Sequence, residues 1–242
     1  RDLAGIEAAI NNLLTRMRES YRQQARFVND ASHELKTPIA VIQGYANMLD
    51  RWGKEDPKIL DESIHAIKNE SDHMSRLVEQ LLFLARGDAG RAVLKLERID
   101  LVPLMREIYE ESLMIDEGHR YLLKAEGAVY ALADAAMLKQ AVRILVENAA
   151  KYTEKRGEIA LSAFYLENHS PCLQVEDTGI GMEEKDVRHI FERFYRSDEV
   201  RNYQGTGLGL SIAKWIVDRH RGHFEVVSRE ELGSRIRIVL QA

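Results

Sequence analysis

The chain has 242 residues, 45% hydrophobic and 30% charged, a globular composition long enough for one large domain or two small ones with a real core. Its net charge of -5, with acidic and basic residues interspersed and no Lys/Arg stripe, offers no electrostatic footprint for nucleic acid and sets that partner class aside. The single cysteine, Cys172, has no partner for an internal disulfide and none of the clustered Cys and His residues of a zinc site; no stretch is apolar enough to cross a bilayer, and no signal peptide is visible. Because the chain opens at Arg1 without a Met and is helical in pattern almost at once, a fragment of a longer protein is expected.

From Ile6 the apolar positions step by three and four through Ile10, Leu13 and Met17, more weakly past Ser20 and Gln24, then through Ala31, Leu35, Ile42 and Leu49. This 3.5-residue rhythm predicts a coiled-coil seam running into a helical bundle, and it implies a partner helix. The pattern stops at "RWGKEDP", residues 51–57, where Gly53 marks a turn, Asp56 can cap a new helix and Pro57 suits its first position. A second helix over 58–86 places Leu60, Ile64, Ile67, Ser71, Met74, Leu77, Leu81 and Leu84 on one face. A hairpin of two such helices cannot bury both stripes alone, so two copies are expected to pair as a homodimeric four-helix bundle.

At "RGDAGRAVLKLERID", residues 86–100, the heptads end and glycines appear, which puts a domain boundary near residue 90. Beyond Asp100, a candidate N-cap, helices are predicted over 101–117, over 135–151 after Asp134, over 183–190 and over 209–220. Two short strands are predicted within 121–133, and others over 157–166, 172–176, 222–229 and 234–240. That order predicts an α/β (α+β) sandwich, one sheet covered on one face.

Three segments of this second part carry chemistry. "VEDTGIGM", residues 175–182, sets Asp177 after a strand, where its carboxylate can accept from an exocyclic amine, while Gly179 and Gly181 let backbone pass close to a ring or phosphate; a plain Asp/Gly turn reads equally well. "GTGLGLSIAKWIV", residues 205–217, opens a helix with Gly205, Gly207 and Gly209, whose exposed N–H groups make a phosphate seat. It fits neither the dinucleotide fingerprint nor the P-loop. "ILVENAAKYT", residues 144–153, sets Asn148 and Lys151 on one helical face beside Tyr152, an amide for Mg²⁺, an ammonium for phosphate and a ring for a base or ribose. In the first part, "NDASHELKTPIAVIQGY", residues 29–45, places His33 on a helix, where a histidine is ordinarily one more solvated polar residue.

Taken together, "ENAAKYT", "EDTGIGM", "IFERFYRSD" and "GTGLGLSIAKWIV" resemble, in order, the four boxes of the Bergerat-fold ATP-binding domain of sensor histidine kinases, a fold shared with type II topoisomerases and MutL. "FVNDASHELKTPIAVIQGY" is similar to the phosphoacceptor box of the same kinases, and residues 1–26 resemble the last helix of a HAMP signalling module. The resemblance implies a signalling helix over 1–26, a dimerisation and phosphotransfer domain over 27–90 and a catalytic ATP-binding domain over 91–242.

The resemblance also implies roles. His33 takes the γ-phosphoryl group of ATP, Glu34 orients the imidazole or accepts its proton, and Thr37, one turn on, positions a water for dephosphorylating a response regulator. Asn148 binds Mg²⁺, Lys151 meets phosphates, Tyr152 the base or sugar, and Asp177 the adenine amine with Gly179 and Gly181 behind it. Residues 182–204 form a lid anchored by Phe191 and Phe194, with Arg193 or Arg196 reaching phosphates; Gly205, Thr206, Gly207, Leu208 and Gly209 form its hinge and phosphate seat. Two positions depart from the pattern: Ile144 stands where relatives carry a second Asn, which leaves Glu147 as a carboxylate near the metal, and Gln204 stands where another glycine is common.

The implied protein is a homodimeric kinase using ATP and Mg²⁺, the cytoplasmic portion of a membrane sensor whose span lies outside this chain, with a response-regulator receiver domain as its partner. A pseudokinase scaffold would keep the fold without turnover, and a Bergerat ATPase acting on DNA or client proteins would leave the histidine hairpin unexplained. Pro38 lacks an N–H and leaves the Glu34 carbonyl without its helical partner, so a bend just after His33 is expected, either a switch point or a tolerated kink.

Overall fold

The computed structural model describes residues 2–53, 55–88, 93–197 and 205–241, except for the side chains of 2–6, 8, 9 and 23. Two compact units result, Arg1–Leu81 and Leu82–Ala242.

The first unit is a helical hairpin. Helix α1 (Asp2–Trp52) is 51 residues long, about 75 Å at the α-helical rise, and it passes without a break through positions 26–27. It closes at Gly53, whose N–H donates to the Leu49 carbonyl at 3.0 Å. Helix α2 (Pro57–Asp88) opens as expected, with Asp56 Oδ1 accepting from the N–H groups of Lys58 at 2.9 Å and Ile59 at 3.4 Å. The helix expected to bend after His33 is a single element on both sides of Pro38, which is itself buried. Leu77 is fully buried, and Leu35, Ile42, Leu49, Ile67, Met74 and Leu81 are half-buried. Ile10, Leu13, Met17, Leu60 and Ile64, all assigned to the apolar stripes, remain exposed in the single chain, Met17 to 61%.

The second unit includes the last two turns of α2, from Leu82 on. Its described elements are β1 (Glu97–Asp100), α3 (Leu101–Ile115), β2 (Arg120–Ala125), β3 (Tyr130–Ala133), α4 (Ala135–Tyr152), β4 (Glu158–Tyr165), β5 (Pro171–Asp177), α5 (Glu184–Val187), α6 (Gly209–Arg219), β6 (His223–Arg229) and β7 (Gly233–Val239). Five strands form one sheet in the order β2-β4-β5-β7-β6, with β2 and β4 parallel and the other pairs antiparallel. Strand alternation buries Ile159, Leu161, Leu173, Val175 and Ile238 beneath α3, α4 and α6. The opposite face carries a polar ladder in which Arg235 meets Glu176 and Arg237 joins Gln174 to Glu225.

Two differences from the sequence reading stand out. Residues 97–100, read only as a lead-in to a cap, form β1, which pairs with β3 in a separate two-stranded sheet. The helix expected over 183–190 is only the four-residue α5, followed by turns. No side chain caps it, and the buried Asp186 carboxylate accepts the Tyr195 hydroxyl at 2.6 Å, folding the segment back on itself.

Candidate functional site

Helix α4 supplies the first wall. Asp134 caps its start, accepting from Met137 N–H at 3.1 Å, and Leu138, Ala141, Val142, Leu145, Val146 and Ala149 bury its apolar stripe. That orientation leaves Asn148, Lys151 and Tyr152 half-buried at its last turn, with the neighbouring Glu147 exposed. Lys151 Nζ donates to Tyr152 Oη at 2.9 Å and lies 4.7 Å from the centre of that ring. Arg196 donates to the Gly205 carbonyl at 3.2 Å, and a Cβ on Gly205 would fall 2.5 Å from Lys151 Nζ. Lys151, Arg196 and the start of the glycine segment therefore meet. Burial first, and the Arg196 charge second, push the Lys151 ammonium down to about 8; an incoming anion would relieve both effects.

Asp177, at the end of β5, supplies the second wall. Its Oδ1 accepts from Gly179 N–H at 2.9 Å and Ser234 N–H at 3.3 Å, which leaves Oδ2 to accept from a ligand donor. Burial pushes its carboxyl above the usual range against the pull of those two bonds. The glycines that follow sit where the loop packs on neighbouring backbone. A Cβ on Gly179 would fall 2.4 Å from the Tyr152 carbonyl, and one on Gly181, at φ +69°, would fall 1.9 Å from the Arg229 carbonyl. They are needed where backbone meets backbone. Ile180 N–H donates to the Tyr152 carbonyl at 3.1 Å and the Ile180 carbonyl accepts from Glu231 N–H at 2.7 Å, so this loop is stitched to α4 on one side and to the β6–β7 turn on the other.

The third wall is the glycine segment and the part of the lid that is described. Gly207, at φ +69°, packs on the backbone of Phe194, whose N–H donates to the Gly207 carbonyl at 2.9 Å. Leu208 is fully buried, its N–H donating to Thr206 Oγ1 at 3.3 Å, and α6 begins at Gly209. Ile144, the departure noted above, has its Cγ2 3.2 Å from a Cβ built on Gly209, so it fills the space beneath the first turn of α6. Phe191 stacks on Phe224 of β6 at 4.6 Å, and Arg193 donates to Asp88 Oδ1 at 2.9 Å. Gln204 and the rest of 198–204 lie outside the described residues.

His33, Glu34 and Thr37 lie on α1, His33 and Thr37 exposed and Glu34 half-buried. Two histidines that sequence reasoning passed over, His220 buried and His119 half-buried, also bear on the site. His220, the C-cap of α6, accepts from Asp134 N–H at Nε2 and donates from Nδ1 to the Ile216 carbonyl, joining α6 to the cap of α4. His119 sits against the other end of α4. Neither stands in a motif; only the folded chain brings them to α4. Among the described residues no group of three or more His, Cys, Asp or Glu is arranged to hold a metal; the Asn148 amide and the adjacent Glu147 carboxylate are the oxygen donors at this end of α4 that could join a ligand's own phosphates around a divalent ion.

The second unit matches the family model described as histidine kinase-, DNA gyrase B- and HSP90-like ATPase over residues 133–242, and residues 23–90 match that of the His kinase A phosphoacceptor domain. The chain is 41% identical over 228 residues to the sensor histidine kinase YkoH of Bacillus subtilis, an alignment covering 93% of this chain and 49% of YkoH. It spans about half the length of the curated relatives it matches. Among solved structures, histidine kinase ThkA in complex with the response regulator TrrA superposes with a TM-score of 0.75 at 23% identity, covering 92% of this chain and 63% of that one. Full-length ShkA in complex with AMPPNP superposes with a TM-score of 0.63 at 25% identity, covering 87% of this chain and 45% of that one. No helix among the described residues is long and apolar enough to cross a membrane. With a phosphoacceptor hairpin and an ATPase domain following each other in one chain, the protein belongs to the sensor histidine kinases.

Proposed function

We propose that the chain is the kinase portion of a two-component sensor. ATP would seat its adenine amine on Asp177 Oδ2 and its phosphates against Lys151, Arg196 and the N–H groups at the start of α6. Tyr152 would meet the base or sugar. Mg²⁺, held by Asn148 and the phosphates, would supply charge neutralisation of the transferring group. An imidazole nitrogen of His33 would attack the γ-phosphorus as the bond to the ADP oxygen breaks, with Glu34 taking or orienting the imidazole proton. The phosphoryl group would then pass to an aspartate of a response-regulator receiver domain, and Thr37 would place the water that later removes it.

The observation that carries this reading is the meeting of Lys151, Arg196 and Gly205 at the end of α4, a cationic cluster whose buried lysine an incoming anion would hold in its charged form. The AMPPNP bound by ShkA and the regulator bound by ThkA support the choice of nucleotide and partner. The exposed stripe through Ile10, Leu13, Met17, Leu60 and Ile64 supports a homodimer, since a second hairpin would cover it. YkoH, a sensor kinase about twice as long, supports a longer parent protein, and we take this chain as its cytoplasmic part.

Incubation with γ-32P-labelled ATP and Mg²⁺ tests the proposal: the protein acquires an acid-labile, alkali-stable label that His33→Gln loses and that moves to a cognate receiver domain. A label that survives in His33→Gln would sink it.

A further inference from the structure

His119 is the best-determined polar group in the second unit that the chemistry above does not use. It lies in the loop between α3 and β2, with its side chain 10% exposed. Nδ1 is 2.6 Å from Asp116 Oδ2 and Nε2 is 2.9 Å from the Thr153 carbonyl oxygen. A backbone carbonyl can only accept. The Asp116 carboxylate already accepts from Gly118 N–H at 2.8 Å and from Tyr121 Oη at 2.8 Å, and it can only accept from His119 as well. Both ring nitrogens must therefore donate, which requires the imidazolium. Burial works against that charge, but the bonds to Asp116 and Thr153 and the Asp116 charge outweigh it and hold His119 above its ordinary value. Asp116 is held below its own, its hydrogen bonds to His119, Tyr121 and Gly118 outweighing burial.

The position of the second acceptor gives the pair its interest. Thr153 is the C-cap of α4, directly after Lys151 and Tyr152. The Tyr152 carbonyl accepts from Ile180 in the Asp177 loop, and the next carbonyl along the chain accepts from His119. Two further bonds, Arg156 N–H to the Gly118 carbonyl at 2.7 Å and Arg120 N–H to the Gly157 carbonyl at 2.9 Å, zip the His119 loop to the segment after α4. The last turn of α4 is thus gripped from two sides, by the adenine-side loop and by a cationic histidine.

We infer that His119 is a positioning residue for nucleotide binding: through Thr153 it fixes the last turn of α4, and with it the placement of Lys151 and Tyr152 against the Asp177 loop. The inference rests on the ATP reading of the site. The charged and titratable groups facing His119 are Asp116 from the α3 cap and Tyr121 from β2; α4 presents only its carbonyl. A histidine whose folded-state pKa is raised lends its full support below the unfolded value and loses it as pH climbs through the folded one. The grip on α4, and the nucleotide affinity that depends on it, weaken over that window.

The test uses the full chain and AMPPNP with Mg²⁺, titrated calorimetrically from pH 6 to pH 9 for wild type, His119→Gln and Asp177→Asn. Wild type binds and Asp177→Asn binds tenfold or more weakly if the nucleotide reading holds; a wild type that binds no nucleotide overturns that reading instead. Lys151 titrates in the same range in every variant, so the difference between the wild-type and His119→Gln profiles isolates His119. His119→Gln binds about threefold or more weakly than wild type at pH 6, and the gap closes as pH rises through the raised His119 pKa and the ring loses its charge. In parallel, imidazole nitrogen shifts of wild-type His119 report a doubly protonated ring at pH 7. Parallel binding profiles, or a ring already neutral below pH 6.5, overturn the inference even where His119→Gln fails to fold.

Discussion

Trp215 of α6 meets Phe83 edge to face, ring centroids 5.2 Å apart, and this contact builds the last two turns of α2 into the second unit. Gly87 fits beneath the same indole, since a Cβ there would fall 2.5 Å from its Cε2, and Arg219 donates to the Gly87 carbonyl at 3.2 Å. Trp215→Ala removes a half-buried aromatic contact and lowers the stability of the second unit by about 2 kcal/mol. Gly87→Ala lowers it too, by pushing the indole out. Urea denaturation of the full chain reads both; a Gly87→Ala protein as stable as wild type would mean that the ring yields freely.

Gly181 gives a sharper stability prediction. Its φ of +69° is one that L side chains rarely adopt, and an added methyl would collide with the Arg229 carbonyl, a backbone atom that cannot swing aside. Gly181→Ala costs about 3 kcal/mol or more. The lesion moves the Asp177 loop, so AMPPNP binding falls along with the melting temperature. A variant that keeps its stability while losing nucleotide would return this glycine to a direct ligand role.

Asp177→Asn separates binding from folding. Asn Oδ1 can still accept from Gly179 and Ser234, and the substitution removes a carboxylate that burial disfavours, so the melting temperature at pH 7 does not fall. Because the folded-state pKa of Asp177 is raised, its ionisation subtracts stability as pH rises through the carboxylate range, and the variant lacks that decline. The other side-chain atom, however, becomes an NH₂ facing an amine donor. Nucleotide affinity drops tenfold or more, the scale of a lost hydrogen bond to a charged acceptor. Unchanged affinity would remove Asp177 from adenine recognition.

The elements legible in the sequence are those whose signals are local. Asp56, Asp100 and Asp134 each precede an amphipathic run, and each caps the helix expected of it. The alternation over 235–238 in the last strand marks one face packed and the other polar. The strand at 97–100 escaped because its partner, β3, is thirty residues away and only pairing defines it. The short α5 escaped because a tertiary bond, Tyr195 to Asp186, ends a pattern that reads as helix. Motif glycines stood out in the sequence, but not the packing that needs them: Gly179 and Gly181 answer to the carbonyls of Tyr152 and Arg229, residues distant in sequence. His119 carried no signal at all, since its two acceptors lie on segments 116 and 153 that the fold alone brings together.

Lys151 offers a prediction with a definite sign. In the free protein its ammonium titrates near 8, lowered by burial and then by Arg196. Bound phosphates place negative charge beside it and raise that value, so nucleotide binding at pH 8 takes up about half a proton, the fraction of free protein then lacking it. At pH 6.5 Lys151 is already charged and contributes almost no uptake. Affinity consequently declines as pH rises past 8. Calorimetry with AMPPNP in two buffers of different ionisation enthalpy measures the uptake directly, and Lys151→Gln abolishes the Lys151 share while leaving Asp177 and its loop intact. Binding at pH 8 with no difference in proton uptake between wild type and Lys151→Gln would show that the phosphates sit elsewhere, and that the meeting of Lys151 with Gly205 serves the packing of the glycine segment alone.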